Sequence, residues 1–380
     1  MRIAVNTRLL LPGKLEGIGW FTWEVLQRIV RDHPEHEFIL LFDRPYAERF
    51  VPKGVKAVVV PPPARHPLLY RIWFEWMLPR ALRRHKADVL FSPDGFLSLR
   101  TRVPQLPVIH DLNFEHYPED LPKTYSRYYR NFFPRFAKKA GRIVTVSEFS
   151  KLDIVSRYGI AAERIDVVHN GIGPVFVELD AAERAAVRQR ITGGSPYFVC
   201  VGSLHPRKNI ARLLQAFDRF AERTPDARLV IVGEDFWWDA RMKAAWDDMR
   251  HTDRVTFTGR LEQKELHGTL GAALALVFVA YFEGFGIPVA EAMRCGVPVI
   301  AANATSLPEV AGEAALYCDP FDVDDIARAM DRMWNDPALR GTLAKDGLER
   351  AKRYTWDRTA QGVWNSLERL MKEQPRTDRI

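Results

Sequence analysis

The chain has 380 residues, 47% hydrophobic and 27% charged, with a formal net charge of +7. That length exceeds one ordinary core and suits two domains of roughly 100 to 200 residues with a cleft between them. No uncharged apolar run of about 18 residues is present, which excludes a spanning helix; Cys200, Cys295 and Cys318 are too scattered for a disulfide framework or a metal site and read as small buried hydrophobes.

Residues 1–11 hold Arg2 and Arg8 in a strand-like apolar run without the apolar block and cleavage site of a leader, so a cytoplasmic protein is expected. Short Val/Ile-rich runs follow at residues 3–5, 38–41, 57–60, 89–91, 108–110 and 143–146, separated by longer amphipathic stretches. A second series lies at residues 197–201, 228–232, 255–258, 275–279 and 297–300, with helix-like segments such as 210–223 between them. This alternation predicts an α/β protein of two Rossmann-like, doubly wound domains. The expected boundaries are an N-terminal domain over 1–172, a linker over 173–194 and a C-terminal domain over 195–355. A C-terminal helix over 356–380 is expected to pack back on the first domain.

Charge is unevenly shared. Residues 1–170 carry 27 Lys+Arg against 18 Asp+Glu, a balance of +9, and residues 171–380 carry 28 against 30, a balance of −2. The bias suits an anionic partner for the first domain, a lipid-phosphate acceptor or an acidic membrane surface, better than nucleic acid, for which no motif is present. Two segments, 71–86 and 123–139, mix aromatic and basic residues. Their aromatics, Trp73, Phe74 and Trp76 among them, suit a domain core, with peripheral contact to an anionic membrane as the alternative.

The glycines after the first strand, Gly13, Gly17 and Gly19, do not have dinucleotide-binding spacing, and no Walker-type loop is present, so phosphate is held another way. One candidate is the Val201-Gly202-Ser203-Leu204-His205-Pro206-Arg207-Lys208-Asn209 turn between a strand and a helix. Glycine lets backbone approach a ligand there, and Arg207 and Lys208 can neutralise a diphosphate; an exposed basic turn is the plainer alternative. A second candidate is Glu283-Gly284-Phe285-Gly286-Ile287-Pro288-Val289-Ala290-Glu291. Pro288 suits a first helical turn, backbone N–H groups around Phe285, Gly286 and Ile287 can face an anion, and Glu283 and Glu291 can accept from sugar and ribose hydroxyls. A hydrolase acid and base pair would also use two carboxylates, but it has no need of Arg207 and Lys208.

The Gly-Ser-x3-Arg-Lys-Asn block followed by Glu-Gly-Phe-Gly-Ile-Pro-x2-Glu resembles the retaining glycosyltransferases of family 4, which have the GT-B fold, and within them the bacterial mannosyltransferases of polysaccharide assembly. Gly17 to Gly19, His110-Asp111, Ser147-x2-Ser150 and His169-Asn170-Gly171 resemble further elements of that family. The resemblance implies that Arg207 and Lys208 bind the donor diphosphate, Glu283 the transferred sugar and Glu291 the ribose. It also implies that His110 faces the sugar across the cleft, that Gly17 and Gly19 let a loop approach the sugar phosphate, and that the base lies near Gly259, Arg260 and Leu261. Alone, His110-Asp111 reads as a structural pair and Gly17-Ile18-Gly19 as an ordinary turn. The family implies no metal and no cofactor beyond a nucleotide-sugar substrate, GDP-mannose first and a UDP-sugar second, and a glycan or lipid-linked acceptor. A sugar-nucleotide epimerase and a non-catalytic nucleotide-sugar binding protein are the weaker alternatives.

Overall fold

The computed structural model of the protein describes residues 1–13, 15–234 and 238–374. Two compact units share them: residues 1–171 with the segment that starts at Trp356, and Ile172–Thr355.

The strands of the first unit are β1 (Arg2–Asn6), β2 (Glu37–Phe42), β3 (Lys56–Val59), β4 (Val89–Ser92), β5 (Gln105–Pro107), β6 (Ile143–Thr145) and β7 (Ile165–Val167). They pair in parallel in the order β3-β2-β1-β4-β5, with β6 beside β7. The second unit holds β8 (Tyr197–Val201), β9 (Arg228–Val232), β10 (Val255–Gly259), β11 (Ala275–Phe278), β12 (Val299–Ala302) and β13 (Leu316–Cys318). Their order is β10-β9-β8-β11-β12-β13, again parallel.

Parallel strands covered on both faces read as continuous apolar runs, and β8 and β11 are buried along their whole lengths. The helix Ile210–Ala221 buries Ile210, Leu213, Leu214, Phe217 and Phe220, the three-and-four spacing of a stripe that covers a sheet face. In each unit the strand order reverses beside the first strand, between β1 and β4 and between β8 and β11. At such a switch point the two flanking connections leave on opposite faces, so the carboxyl ends of the strands open into a crevice. The candidate residues lie at those ends.

Four details differ from the expectations or resolve them. The run 108–110 is not a strand: β5 ends at Pro107, which lacks an N–H, and Val108 makes an isolated bridge to Val144 that leads the sheet on to β6. Residues 173–194, expected as a linker, belong to the second unit. They contain the helix Ala181–Thr192, which is fixed there by Arg188 Nε donating to the Ala272 carbonyl at 2.7 Å. Trp73 and Phe74 are fully buried, and Phe133 and Phe136 join them in one core, while Trp76 is half-buried under the Arg100 guanidinium. The basic residues of the helix Lys123–Lys139 are left on its solvent face.

The helix Trp356–Glu373 packs in the first unit against the helix Gly17–Asp32, through Arg28 to Asp357 at 3.2 Å and a Trp364–His33 stack at 3.6 Å. Residues 375–380 of the expected C-terminal segment lie outside the described residues. No described helix is long and apolar enough to cross a membrane.

Candidate active site

In the second unit the chain leaves β8 at Gly202, and Pro206 opens a short 3-10 turn, Pro206–Lys208. Asn209 then takes a left-handed conformation, φ 62°, before the helix Ile210–Ala221 begins. Such a conformation is strained for a side chain unless the surroundings fix it. Asn209 Nδ2 is anchored on the Val279 and Pro320 carbonyls at 3.0 and 2.6 Å, and its Oδ1 accepts from Arg212. The turn is therefore tied to the end of β11, and the Tyr281 N–H donating to the Arg207 carbonyl at 3.0 Å closes the connection.

That connection brings Arg207, Lys208 and Glu283 together. Lys208 Nζ and Arg207 Nη1 donate to the same carboxylate oxygen, Glu283 Oε1, at 2.6 and 2.7 Å. Arg207 also reaches the Phe282 carbonyl, and Lys208 Nζ stands 4.8 Å from the centre of the Phe278 ring. Burial pushes the Glu283 carboxyl up, but Arg207 and Lys208 outweigh it and hold the group below its ordinary value. Burial pulls the Lys208 ammonium down, and Glu283 recovers only part of that shift. Two cations meeting one carboxylate form a cluster suited to a further anion, the arrangement a departing diphosphate needs.

Two groups that motif reading missed hold Glu283 in place. Its N–H donates to Thr305 Oγ1 at 3.2 Å, and its carbonyl accepts from Ser306 Oγ at 2.9 Å. Thr305 itself is left-handed, φ 54°. In sequence these two residues read only as the entry to the helix Leu307–Ala311. Gly233 was missed as well: a Cβ there would collide with the Gly202 carbonyl oxygen, so the close passage of the β8 and β9 exits requires glycine.

Gly286, φ 91°, turns the chain into the helix Ile287–Arg294, and a Cβ at that position would meet Leu307 Cδ2 at 2.5 Å. The Phe285 side chain is spent on packing, edge-on to Tyr354 with centroids 5.3 Å apart, which leaves it only backbone to offer a ligand. Glu291 lies just beyond the first turn of the helix, half-buried. Burial, opposed by no cation among the described residues, pushes its carboxyl up to about 8. Ser203 is exposed, Leu261 is half-buried, and Arg260 lies 4.0 Å from Glu234 Oε1. An Asp-x-Asp spacing does occur at Asp322 to Asp324, but Asp322 caps the helix Val323–Asn335 by accepting from the Asp324 and Asp325 N–H groups.

In the first unit, Gly17 starts the helix Gly17–Asp32, and Gly19 sits where a Cβ would press on the Leu9 carbonyl at 3.0 Å. On the same helix, Phe21 meets the His110 ring edge-on with centroids 5.0 Å apart, so the helix that the glycine turn starts packs against His110. His110 Nε2 is 2.8 Å from the Pro93 carbonyl. A carbonyl only accepts, so Nε2 carries the proton and the neutral ring presents its lone pair at Nδ1. Burial pulls the His110 pKa below the ordinary imidazole value, which keeps the ring neutral. The Ser147-x2-Ser150 element serves the framework, since Ser150 Oγ donates to the His110 carbonyl at 3.1 Å and Ser147 caps the following helix.

Residues 15–175 match Glycosyltransferase Family 4 and residues 182–350 match Glycosyl transferases group 1. The chain is 31% identical to O-antigen chain mannosyltransferase B of Escherichia coli, over 80% of this chain and 81% of that protein. It is 27% identical to a serotype-specific mannosyltransferase WbdA of Escherichia coli over 71% of its own length, and the match spans about a third, 34%, of WbdA. Among solved structures, Anabaena HepE in complex with UDP and glucose superposes with a TM-score of 0.75 over 97% of this chain and 100% of that one, at 19% identity. The chain therefore belongs to the glycosyltransferases of family 4 and group 1, and is a glycosyltransferase of glycan biosynthesis with the GT-B fold.

Proposed function

We propose that the protein is a retaining hexosyltransferase that moves mannose from GDP-mannose to a glycan or lipid-linked acceptor. The observation that carries this reading is the convergence of Arg207 and Lys208 on Glu283 at the switch point of the second unit. The two cations bind the donor diphosphate, and Glu283 accepts from hydroxyls of the sugar. Glu291, which has no cationic partner among the described residues, accepts from the ribose. Gly202, Ser203, Gly286 and the backbone at Phe285 and Ile287 line the phosphates, and Arg260 and Leu261 lie by the base.

In the transfer step the anomeric C–O bond to the diphosphate breaks, and the acceptor oxygen bonds to the anomeric carbon from the same face. The departing phosphate oxygen takes the acceptor proton. Glu283 is a poor covalent nucleophile because both cations hold one of its oxygens. His110 orients the sugar by accepting a hydroxyl at Nδ1, with Gly17 and Gly19 beside it. Arg207 and Lys208 supply the charge that a metal ion would otherwise bring, so the reaction needs neither metal nor cofactor. Mannose is favoured because two relatives are named mannosyltransferases; HepE, which holds UDP and glucose, is alike in fold only.

The test is a thermal-shift panel of GDP, UDP, ADP and their sugar conjugates, run with and without excess chelator. A ligand that binds only the folded state raises stability by mass action. GDP and GDP-mannose are expected to shift the wild type equally with chelator present, and a shift with uridine nucleotides alone would replace the donor. His110→Ala is expected to keep the nucleotide shift and lose turnover on the order of 10-fold or more; unchanged turnover would remove His110 from the site.

The basic solvent face of Lys123–Lys139, with Leu68 exposed on the helix Pro67–Ile72, supports peripheral contact with an anionic membrane. Co-sedimentation with anionic but not neutral vesicles at low salt is expected. Equal recovery in the supernatant with both would sink it.

A further inference from the structure

We propose that Asp94 and Arg8 are positioning residues for His110, holding the Pro93 carbonyl against Nε2 so that the ring offers its lone pair at Nδ1. The proposal rests on the reading of His110 given above and extends it to groups that do not touch the sugar.

Asp94 follows Pro93 at the carboxyl end of β4, and its carboxylate is almost fully enclosed. Oδ1 accepts from Asn6 Nδ2 at 2.9 Å and from the Phe96 N–H at 3.1 Å, and the Ser92 hydroxyl, which donates to the Phe96 carbonyl at 2.6 Å, lies 3.2 Å from it. Oδ2 accepts from Arg8 Nε at 2.5 Å. The side chains of Arg8 and Asp94 are 6% and 2% exposed. Arg8 is immobilised in turn: Nη1 donates to the Ala64 carbonyl at 3.3 Å, and the guanidinium lies 4.4 Å from the Phe96 ring centre and 5.1 Å from that of Tyr70.

The bonds to Asp94 therefore fix the Ser92-Pro93-Asp94 turn, and the Pro93 carbonyl of that turn is the one that stands 2.8 Å from His110 Nε2. Burying an ion pair is a weak route to stability, because the desolvation of two charges offsets most of their attraction. It is an effective route to a fixed geometry, since a planar guanidinium and a carboxylate with all its neighbours satisfied have one arrangement. A pair of this kind at the sheet's switch point, one residue from the carbonyl that sets the imidazole tautomer, fits a positioning role. The Ser150 hydroxyl on the His110 carbonyl fixes the same residue from its other side.

The experiment is a double-mutant cycle with Asp94→Asn and His110→Ala, read as release of nucleoside diphosphate from the sugar nucleotide selected by the binding panel. The ring is followed by 15N NMR of histidine-labelled protein. Asp94→Asn is expected to lower kcat on the order of 10-fold with donor KM and nucleotide thermal shift unchanged. The His110 nitrogens are expected to move from separate protonated-Nε2 and bare-Nδ1 signals toward an averaged pair. In the His110→Ala background, Asp94→Asn is expected to add no further loss.

Arg8→Met combined with Asp94→Asn removes both charges at similar volume and guards against a variant that fails to fold; it is expected to behave as Asp94→Asn does. Additive losses, or unchanged His110 signals beside reduced kcat, would overturn the positioning role while leaving His110 in the site. A His110→Ala variant with full turnover would instead remove the reading of His110 on which the proposal rests.

Discussion

Lys208→Ala should lower turnover by about 10²- to 10³-fold, the loss that follows removal of one preorganised charge from a developing anion. Lys208 Nζ is buried, bonded to Glu283 Oε1 at 2.6 Å, and its stem lies where a Cβ on Gly202 would touch it at 3.0 Å. The ammonium is thus held within the turn that leaves β8 and has little freedom to reorganise as charge grows on the phosphate. Removing it also leaves Glu283 buried with Arg207 as its remaining cation, which should lower stability by about 2 kcal/mol. Lys208→Met separates the two effects, since it keeps the stem and drops the charge. It should retain most of the stability and lose as much turnover as the alanine variant. A methionine variant that turned over within about threefold of wild type would show that the residue packs the loop and does not neutralise the donor. Arg207→Lys is the complementary case: it preserves charge but not the geometry that reaches both Glu283 and the Phe282 carbonyl.

Much of this architecture is legible in the sequence because a parallel sheet covered on both faces writes itself as apolar runs. Residues 197–201 and 275–278 carry no periodicity that competes with that reading. The strands that escaped, β7 and β13, have three residues each; with Asp166 and Tyr317 at their centres they are too short and too mixed for a pattern to emerge. The misplaced linker has the opposite cause. Residues 180–190 read as a charged helical stretch between the domains, and the reciprocal cap of Asp180 and Glu183 does start a helix there, but its attachment to the second unit, through bonds such as Arg188 to the Ala272 carbonyl, leaves no mark in the sequence.

The candidate site divides the same way. Arg207, Lys208, Glu283 and Glu291 are visible because glycine, proline and charge fall together at strand ends, where backbone can meet an anion. The bonding of both cations to one Glu283 oxygen is not visible, because it depends on two connections about seventy-five residues apart meeting at the β8 and β11 switch point. Thr305 and Ser306 are invisible for a related reason. They grip the Glu283 peptide from a neighbouring loop, and a hydroxyl pair before a helix carries no sign of that. Arg8 and Asp94 illustrate the limit most clearly: an arginine at a strand end is commonplace in sequence, and only burial beneath Phe96 and Tyr70 makes it unusual.

Nucleotide binding should release a proton below about pH 8, and Glu291→Gln should abolish that release. Burial raises the Glu291 carboxyl from the ordinary 4.5 to about 8. Between those values the folded chain holds a proton that the unfolded chain has already lost. Stability of the free protein therefore falls as pH rises through that window, by at most about 1.4 kcal/mol per pH unit, and levels off above it. In the proposed donor site ribose hydroxyls donate to the ionised carboxylate and favour that form, so a nucleotide bound there must expel the proton. Affinity should accordingly rise with pH from about 6 to 8 and then flatten. Titration calorimetry at pH 7 in two buffers of different ionisation enthalpy would report close to one proton released per nucleotide by wild type and none by Glu291→Gln. At pH 8.5 the glutamine variant should be the more stable free protein, because it carries no buried charge. It should also bind nucleotide about 10- to 100-fold more weakly, the value of hydrogen bonds to a charged acceptor. Proton release that persists in the variant would place the titrating group elsewhere, and an unchanged affinity would take Glu291 away from the ribose.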